Sequence, residues 1–307
     1  MRRRDILIGG VVMGLAGCAG GNGNERGGGM TTPNKLEEFG LQLSTITPLM
    51  MSDFEGTLAE VAAVGYRQVE FSALGFLGRT ATHVAEQLKL NGLQAPVGRI
   101  TPKLPADAMQ RSSAELAVLF RERSRAEHLV ENVAHALEQA AAVEQKVLNL
   151  PALMPADYQT LDQVKFNIEQ LNAAGELCAE QGVRFGYHNH DWEYQPIDGV
   201  VPYDLMLQEI APEHLSLQLD QYWVVKATGG FAKYFAEHGD RINSVHLKDM
   251  DASGDFADVG FGTLDMPAFI RTAKAAGVDY YFVERDRPPQ PRQTMQRAYG
   301  YLQEMTY

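Results

Sequence analysis

The chain has 307 residues, of which 45% are hydrophobic and 21% charged, a composition typical of a globular protein with a substantial core. Its formal net charge of -12 argues against a polyanionic partner, because nucleic-acid binding depends largely on Lys and Arg neutralising phosphates. No basic run occurs beyond residues 2–4. We therefore expect no nucleic-acid partner, and we expect one domain of roughly barrel size, about 250 residues, after an N-terminal extension.

The N-terminal residues carry features of an export signal. Residues 1–4 are basic, and residues 6–16 form an apolar stretch that is too short to span a bilayer and is typical of a signal peptide. The pair Arg3-Arg4 resembles the twin-arginine signal, and Leu15-Ala16-Gly17-Cys18 resembles the lipobox of bacterial lipoproteins, in which the cysteine is lipidated. A buried N-terminal helix is the alternative interpretation.

These features predict three segments: a signal peptide at 1–17, a lipidated Cys18 with a flexible tether at 18–35, and the folded domain at 36–307. The protein would then be an exported lipoprotein anchored at the periplasmic face of the outer membrane, contacting the membrane only through its lipid. Of the 2 cysteines, Cys18 would carry the lipid. Cys178 would be a small buried thiol, and no disulfide framework is expected.

Short apolar runs alternate with amphipathic stretches along the rest of the chain, which predicts strands and helices in turn. Predicted strands lie at 40–44, 66–71, 93–100, 146–150, 215–219, 242–247 and 280–283, and a further short strand begins at Arg184. Predicted helices lie at 57–64, 80–90, 109–142 with a break, 161–181, 203–210, 231–237, 266–276 and 294–305. About eight strand and helix pairs predict a single-domain (β/α)8 TIM barrel in the α/β class.

An open doubly wound sheet is the competing architecture. It would normally bring a Gly-rich phosphate-binding turn after an early strand. Gly260-Phe261-Gly262 comes too late for that turn. We interpret it as a loop that approaches the substrate closely.

The run RFGYHNHDWEYQP at 184–196 concentrates groups that transfer protons or bind metals. Because side chains alternate along a strand, His188 and His190 are predicted to point the same way at the strand's C-terminal end. Imidazole titrates near neutrality and is the commonest metal ligand. Asp191 and Glu193 follow as possible acceptors, bases or ligands. A histidine-rich loop that only caps the fold is the plainer interpretation.

In a barrel, the C-terminal ends of all strands meet at one mouth. The residues delivered there are Glu70, His188, His190, Asp220, His246, Lys248 and Glu284, with Glu193 just beyond. A nitrogen and oxygen ligand set with open positions suits Mn²⁺, Co²⁺, Fe²⁺, Mg²⁺ or Zn²⁺. Each residue also has a structural explanation: Asp220 as a helix cap, His246 as a core histidine, and Glu284 as a partner of Arg285 or Arg287.

Five motifs together resemble the xylose-isomerase-like TIM barrels known as sugar phosphate isomerases/epimerases. They are YHNHDWEY from Tyr187, LDQYW from Leu219, VHLKDM from Val245, VGFG from Val259 and VERD from Val283. The resemblance covers roughly residues 39–305. Members include ketose 3-epimerases, hydroxypyruvate isomerase, inosose dehydratase and enzymes acting on 3-keto-glycosides.

The resemblance implies a divalent metal, Mn²⁺ first among the candidates, held by one ligand from each of four late strands. Asp220, His246 and Glu284 match the family's ligands in type and place. His188 stands where the epimerases have a glutamate that also serves as a base. A plain ketose 3-epimerase is therefore not expected.

The resemblance further implies proton abstraction beside a metal-bound carbonyl, through an enediolate. Glu284 would serve as ligand and base, with Glu193 or His190 as the opposite acid or base. Lys248 and Glu70 would hold sugar hydroxyls or developing negative charge. Trp223 would stack on the sugar, although core packing explains an aromatic residue equally well.

The expected function is a metal-dependent isomerase, epimerase or lyase acting on a small keto-sugar or 3-keto-glycoside. An endonuclease on the same barrel is opposed by the acidic balance. The remaining alternative is a non-catalytic sugar-binding lipoprotein built on a decayed barrel. The retained metal-ligand types argue against decay.

Overall fold

The computed structural model describes residues 34–105 and 107–307, and residues 34–307 form one compact unit. Its strands are β1 (Gly40–Gln42), β2 (Gln68–Glu70), β3 (Val97–Arg99), β4 (Val147–Leu150), β5 (Arg184–His188), β6 (Ser216–Asp220), β7 (Ile242–Leu247), β8 (Asp249–Met250), β9 (Phe256–Ala257) and β10 (Tyr280–Val283). Its α-helices are α1 (Thr47–Ser52), α2 (Phe54–Val64), α3 (Ala81–Leu90), α4 (Ser113–Arg123), α5 (Leu129–Ala140), α6 (Leu161–Glu180), α7 (Pro202–Glu209), α8 (Gln221–Thr228), α9 (Ala232–His238), α10 (Met266–Ala275) and α11 (Pro291–Glu304).

Eight of the strands form a parallel sheet in the order β2-β1-β10-β7-β6-β5-β4-β3. The two ends of this order meet at a single bridge between Gln68 and Gln94, so the sheet is a nearly closed barrel with helices around it. β8 and β9 form a separate antiparallel hairpin above the barrel's seventh strand. The predicted TIM barrel is confirmed.

Helix ends follow from local capping chemistry. Thr160 begins α6 with a capping box, in which its hydroxyl accepts from the Gln163 amide and the Gln163 side chain accepts in return. Gly229 ends α8 in the left-handed conformation, with φ of 81°.

Two helices were not predicted. α1 is only six residues long. α8 begins in the run Gln221-Tyr222-Trp223-Val224-Val225, whose aromatic and β-branched residues favour a strand.

The main hydrophobic core lies between the barrel and its helices. It combines outward-facing strand residues such as Leu148, Leu217 and Val245 with helix residues such as Leu171 and Phe269, all buried. Complete burial of one such side chain contributes about 1.5–3 kcal/mol. This layer, rather than the barrel interior, therefore supplies most of the hydrophobic stabilisation.

The apolar part of the barrel interior is small. Val97, Val147 and Phe282 form a separate cluster there. A polar column occupies the rest, with Gln42, Glu70, Asn149, Gln218, Asn243 and Ser244 all buried. Gly186 makes room for this column, because a Cβ at that position would lie 2.0 Å from the Asn149 side-chain oxygen.

The folded unit includes the last two residues of the predicted tether. Lys35 pairs with Thr306, and the Tyr307 amide donates to the Asn34 carbonyl at 3.0 Å. The predicted signal peptide and Cys18 lie outside the described residues. Within residues 34–105 and 107–307, no helix has the length and apolar character needed to cross a membrane.

Cys178 is buried, which confirms the prediction of a small buried thiol. Burial raises the pKa of this thiol to about 12, so it remains protonated and unreactive near pH 7.

Candidate active site

Strand register brings the predicted residues to one end of the barrel. Asp220 is the register partner of His246 on β7, and the Glu284 amide donates to the Leu247 carbonyl at 3.0 Å, which extends the pairing of β10 with β7. The β6–β7 register shifts beside Gln218. Bulges of this kind redirect side chains near functional sites, and here the shift leaves Asp220 level with His246.

A four-residue cluster forms the centre of the site. His188, Asp220, His246 and Glu284 are all buried, and one ligand atom from each lies within 4.8 Å of the others. The His188 and His246 ring centroids are 4.6 Å apart. The sequence predicted this set, and the structure places its four members together.

The Asp220 carboxylate has one oxygen committed and one free. Its Oδ1 caps α8 by accepting from the Trp223 amide at 3.0 Å, so the predicted capping role also holds. Its Oδ2 is buried and has no hydrogen-bond partner among the described residues. The nearest cations to Oδ2 are His246 Nδ1 and Lys248 Nζ, both at 3.7 Å. A buried carboxylate oxygen without a donor is costly, and a divalent cation bound among these two imidazoles and two carboxylates would satisfy it.

Carboxylates face both ring nitrogens of His246. Nδ1 lies 2.8 Å from Glu284 Oε2, and Nε2 lies 2.7 Å from Glu70 Oε2. Burial lowers the pKa of His246, but Glu284 and Glu70 outweigh burial and raise it to about 10. A metal bound at Nδ1 would therefore replace a proton, with Glu70 keeping the opposite nitrogen protonated and the ring oriented.

Glu70, which the sequence suggested as a substrate contact, lies at the end of β2 and on the side of His246 opposite to Glu284 and Asp220. It is completely buried, and besides His246 its carboxylate accepts from Gln218 Nε2 at 2.9 Å and Gln42 Nε2 at 3.0 Å. Arg99 Nε is 3.2 Å from its Oε1. Burial raises the pKa of Glu70, but Arg99 and His246 bring it below the usual value. The contact with His246 Nε2 places Glu70 to orient that ring.

Glu284 and Lys248 form a buried ion pair at the edge of the cluster. Lys248 Nζ is 3.1 Å from Glu284 Oε2 and 2.7 Å from Asp286 Oδ2. Burial opposes ionisation of both groups, but the nearby opposite charges lower the pKa of Glu284 well below its usual value and raise that of Lys248. Arg285 pairs with Asp258, which leaves the Glu284 carboxylate directed at the cluster.

His188 and His190 lie side by side as predicted, with ring centroids 4.9 Å apart. Burial, followed by the charge of Arg99, lowers the pKa of His188 well below its usual value. Burial, followed by Lys248, does the same for His190. Both imidazoles are therefore neutral near pH 7, which is the form that binds a metal or accepts a proton.

Aromatic rings form one wall beside the cluster. Trp223 lies 5.2 Å from His190 and 5.7 Å from Phe256 between ring centroids, and Lys248 Nζ is 5.2 Å from the Trp223 centroid. Trp223 is half-buried. Its ring therefore borders the site, which is the place predicted for a sugar-stacking residue.

Glu193 occupies a different environment from the other predicted residues. It is 1% exposed, and its carboxylate accepts from the Tyr187 hydroxyl at 2.7 Å and from the His190 amide at 3.0 Å. Burial raises its pKa to about 8. Both carboxylate oxygens of Glu193 thus accept from protein donors, on the Tyr187 side of the segment that carries His188 and His190.

Four further residues contact the site without having been predicted. Ser44 Oγ donates to Glu284 Oε1 at 3.0 Å, and Arg99 Nη2 lies 3.3 Å from His246 Nε2. Gln218 contacts Glu70, and Asp286 contacts Lys248. All four occupy inward-facing strand positions or the first residues after a strand, which only the register reveals.

Replacing Glu70 with Gln is expected to weaken metal binding by about 10- to 100-fold, because loss of an outer-shell carboxylate disturbs the orientation and basicity of the histidine ligand. Titration of the metal-free protein with Mn²⁺ measures this. Glu86→Gln, on the exposed face of α3, is the matched control. Equal affinity in both variants would contradict the role assigned to Glu70.

The raised pKa of Glu193 predicts a pH-dependent difference in stability. Because the folded pKa is about 8 and the ordinary value is 4.5, this group's contribution is fully present below pH 4.5 and is lost as pH rises through 8. Wild type should therefore lose up to about 5 kcal/mol relative to Glu193→Gln over this range. Urea unfolding of both metal-free proteins from pH 5 to 9 tests this, and parallel stability curves would refute it.

Comparison with known proteins places the chain in a family. The family described as xylose isomerase-like TIM barrel matches residues 58–305. The chain belongs to this family.

Solved structures share the fold. Two sugar phosphate isomerases/epimerases from Parabacteroides distasonis superpose with TM-scores of 0.72 and 0.69 at 23% and 20% identity. They match 87% and 90% of this chain and 98% and 95% of their own. The 3-keto-D-glucoside 4-epimerase of E. coli superposes with a TM-score of 0.61 at 18% identity, over 87% of this chain and 99% of its own.

One curated relative is similar in sequence over part of the chain. An inosose dehydratase from Geobacillus thermodenitrificans is 28% identical over 141 residues, which are 40% of this chain and 47% of the relative. The match thus spans about half the length of that relative. The names of these similar proteins are sugar phosphate isomerase/epimerase, 3-keto-D-glucoside 4-epimerase and inosose dehydratase.

Proposed function

We propose that this protein is a divalent-metal-dependent isomerase, epimerase or lyase that acts through an enediolate on a keto-sugar or 3-keto-glycoside. The observation that carries the proposal is the buried cluster of His188, Asp220, His246 and Glu284, in which the Asp220 Oδ2 atom has no protein donor among the described residues. When bound there, a divalent cation would supply Lewis-acid stabilisation of negative charge on substrate oxygens. Mn²⁺ is the first ion to test.

The protein's own groups suit proton transfer beside a carbonyl. Glu284 is held ionised by Lys248 and His246, so its carboxylate can accept the proton from the carbon between a carbonyl and a hydroxyl. The neutral His190 ring borders the same space and can exchange a proton on the other side. Return of the proton from Glu284 to the neighbouring carbon gives an isomer. A proton delivered to the opposite face by way of His190, while Glu284 keeps the first, gives an epimer. Transfer of the proton to a β-hydroxyl, which then leaves as water, gives an alkene.

Lys248 is suited to hold the developing negative charge. Its ammonium is 1% exposed and surrounded by Glu284, Asp286 and Asp220, which keep it protonated. A fixed ammonium in a water-poor site stabilises an oxyanion more strongly than one in solvent. Trp223 would support a sugar face beside it.

We propose further that the protein is exported. Residues 1–18 support an exported lipoprotein, as inferred from the sequence, and an exported enzyme would meet unphosphorylated sugars. An activity panel should therefore centre on free ketoses and 3-keto-glycosides.

Proton NMR in D₂O tests the function directly. The protein from Thr31 onward is incubated with Mn²⁺ and the panel, and deuterium is expected at a carbon beside the carbonyl only when metal is present. The accompanying product identifies the reaction as epimerisation, isomerisation or elimination. Sugar binding without exchange for any panel member, with or without metal, would overturn the proposal in favour of a non-catalytic binding protein.

A further inference from the structure

The short 3₁₀ turn Trp192–Tyr194 after β5 shapes one wall of the candidate site. It directs the Glu193 carboxylate back against Tyr187, on the face of β5 opposite to His188. Tyr187 Oη lies 2.8 Å from Tyr158 Oη and accepts from the Leu153 amide at 3.4 Å. Glu193 therefore belongs to a buried group that joins the segment after β5 to the segment after β4.

The start of this turn and the residues just before it present two rings to the site. The His190 and Trp192 rings stack at 4.3 Å with an interplanar angle of 12°, and Trp192 Nε1 donates to the Leu153 carbonyl at 2.9 Å. His190 in turn lies between His188 and Trp223, at 4.9 and 5.2 Å. The location of His190 thus depends on its own backbone bond to Glu193 and on the stacked Trp192.

We propose that Glu193 is a positioning residue, which fixes His190 and Trp192 at the rim of the four-residue cluster through its bonds to Tyr187 and to the His190 amide. The inference rests on the proposed function and deepens it by assigning the wall that the substrate contacts. Two observations separate this role from direct proton transfer: both carboxylate oxygens have protein donors, and the side chain is closed to solvent.

Substitutions at Glu193 distinguish the two roles. Glu193→Gln keeps the shape and an acceptor for the His190 amide. Its amide nitrogen can donate to the Tyr187 oxygen once that hydroxyl turns to donate to Tyr158, so the variant is expected to retain most of the activity. Glu193→Ala removes both bonds and is expected to raise KM by about tenfold, the equivalent of one or two net hydrogen bonds, with a smaller change in kcat. A proton-transfer residue would instead lose about 10²- to 10⁴-fold in kcat in the Gln variant.

Tryptophan fluorescence provides a readout that needs no turnover. The chain has 2 tryptophans, so Trp192 is the single emitter in a Trp223→Phe background. In that background, Glu193→Ala is expected to increase acrylamide quenching of Trp192, and Glu193→Gln is expected to restore the parent value. Tyr187→Phe, which deletes only a hydroxyl, should shift quenching in the same direction and guards against a poorly folded Ala variant.

The results for the Glu193 variants can be interpreted even if the proposed function is wrong. Mn²⁺ affinity should remain unchanged in the Glu193 variants, and Glu180→Ala, on the exposed end of α6, should change none of the readouts. If no substrate is turned over, fluorescence still decides the inference. Unchanged Trp192 quenching in Glu193→Ala and Tyr187→Phe would overturn it, as would a 100-fold loss of kcat in Glu193→Gln with Trp192 unaffected.

Discussion

Replacing Asp220 with Asn is expected to abolish metal binding at micromolar Mn²⁺ and all metal-dependent exchange. Asn keeps the cap on α8, because its side-chain oxygen can still accept from the Trp223 amide. It loses the negative charge of the Oδ2 atom, which has no donor among the described residues. The loss of affinity should exceed the roughly 100-fold that removal of an outer-shell partner causes.

Asp220→Ala separates the charge from the cap. It should lose metal to the same extent and also lose about 1 kcal/mol of stability with the cap. Asp279→Ala, exposed at the start of β10 on the opposite end of the barrel, is the control. Metal binding is measured by calorimetry and activity by deuterium exchange; full exchange in Asp220→Asn would eliminate the proposed metal site.

Replacing Glu284 with Gln is expected to reduce exchange by about 10²- to 10⁴-fold, the usual contribution of a general base. The amide can still accept from Ser44 Oγ, which now bonds the carboxylate at 3.0 Å, but it cannot take a proton. It also removes one of the two closest anions of Lys248 and leaves Asp286 at 2.7 Å. Single-turnover measurements at saturating Mn²⁺ are needed, since Glu284 is also a proposed ligand.

Two comparisons control the Glu284 measurement. Glu304→Gln, on the exposed end of α11, should leave exchange unchanged. Raising Mn²⁺ until the Glu284→Gln site is full should not restore the rate. Recovery of wild-type exchange at high Mn²⁺ would show that Glu284 acts only as a ligand.

Hydrophobic periodicity in the sequence predicts most of the fold. The bounds of β7 and β10 agree with the predicted strands. β10 is a continuous apolar run followed by Glu284, whereas β7 carries the apolar residues Ile242, Val245 and Leu247 between polar ones. Predicted strands at 66–71 and 93–100 proved to be only three residues long, since barrel pairing limits the regular portion. The segment predicted as one broken helix is α4 and α5, separated by a 3₁₀ turn at Ala126–His128.

The residues of the candidate site can be predicted only in part from the sequence. Parallel strands bring their carboxyl ends together, which predicts that the four cluster residues lie at one mouth with several others. The resemblance to the family then selects these four as the ligand set. The sequence does not predict Arg99 and Gln218, because an isolated polar residue in a short strand gives no indication of which face of the sheet it occupies. Glu193 was grouped with the histidines by proximity in sequence, whereas the 3₁₀ turn places its carboxylate behind them.

The polar column inside the barrel has a consequence for how this site can change. Glu70 is bonded to Gln218, Gln218 Nε2 donates to Ser244 Oγ at 3.1 Å, and Asn149 Nδ2 donates to the same oxygen at 3.3 Å. Members of such a network do not contribute independently. Exchanging one metal ligand for another would therefore depend on substitutions several layers below it, so an evolutionary or engineered path to a new specificity must alter the column as a unit.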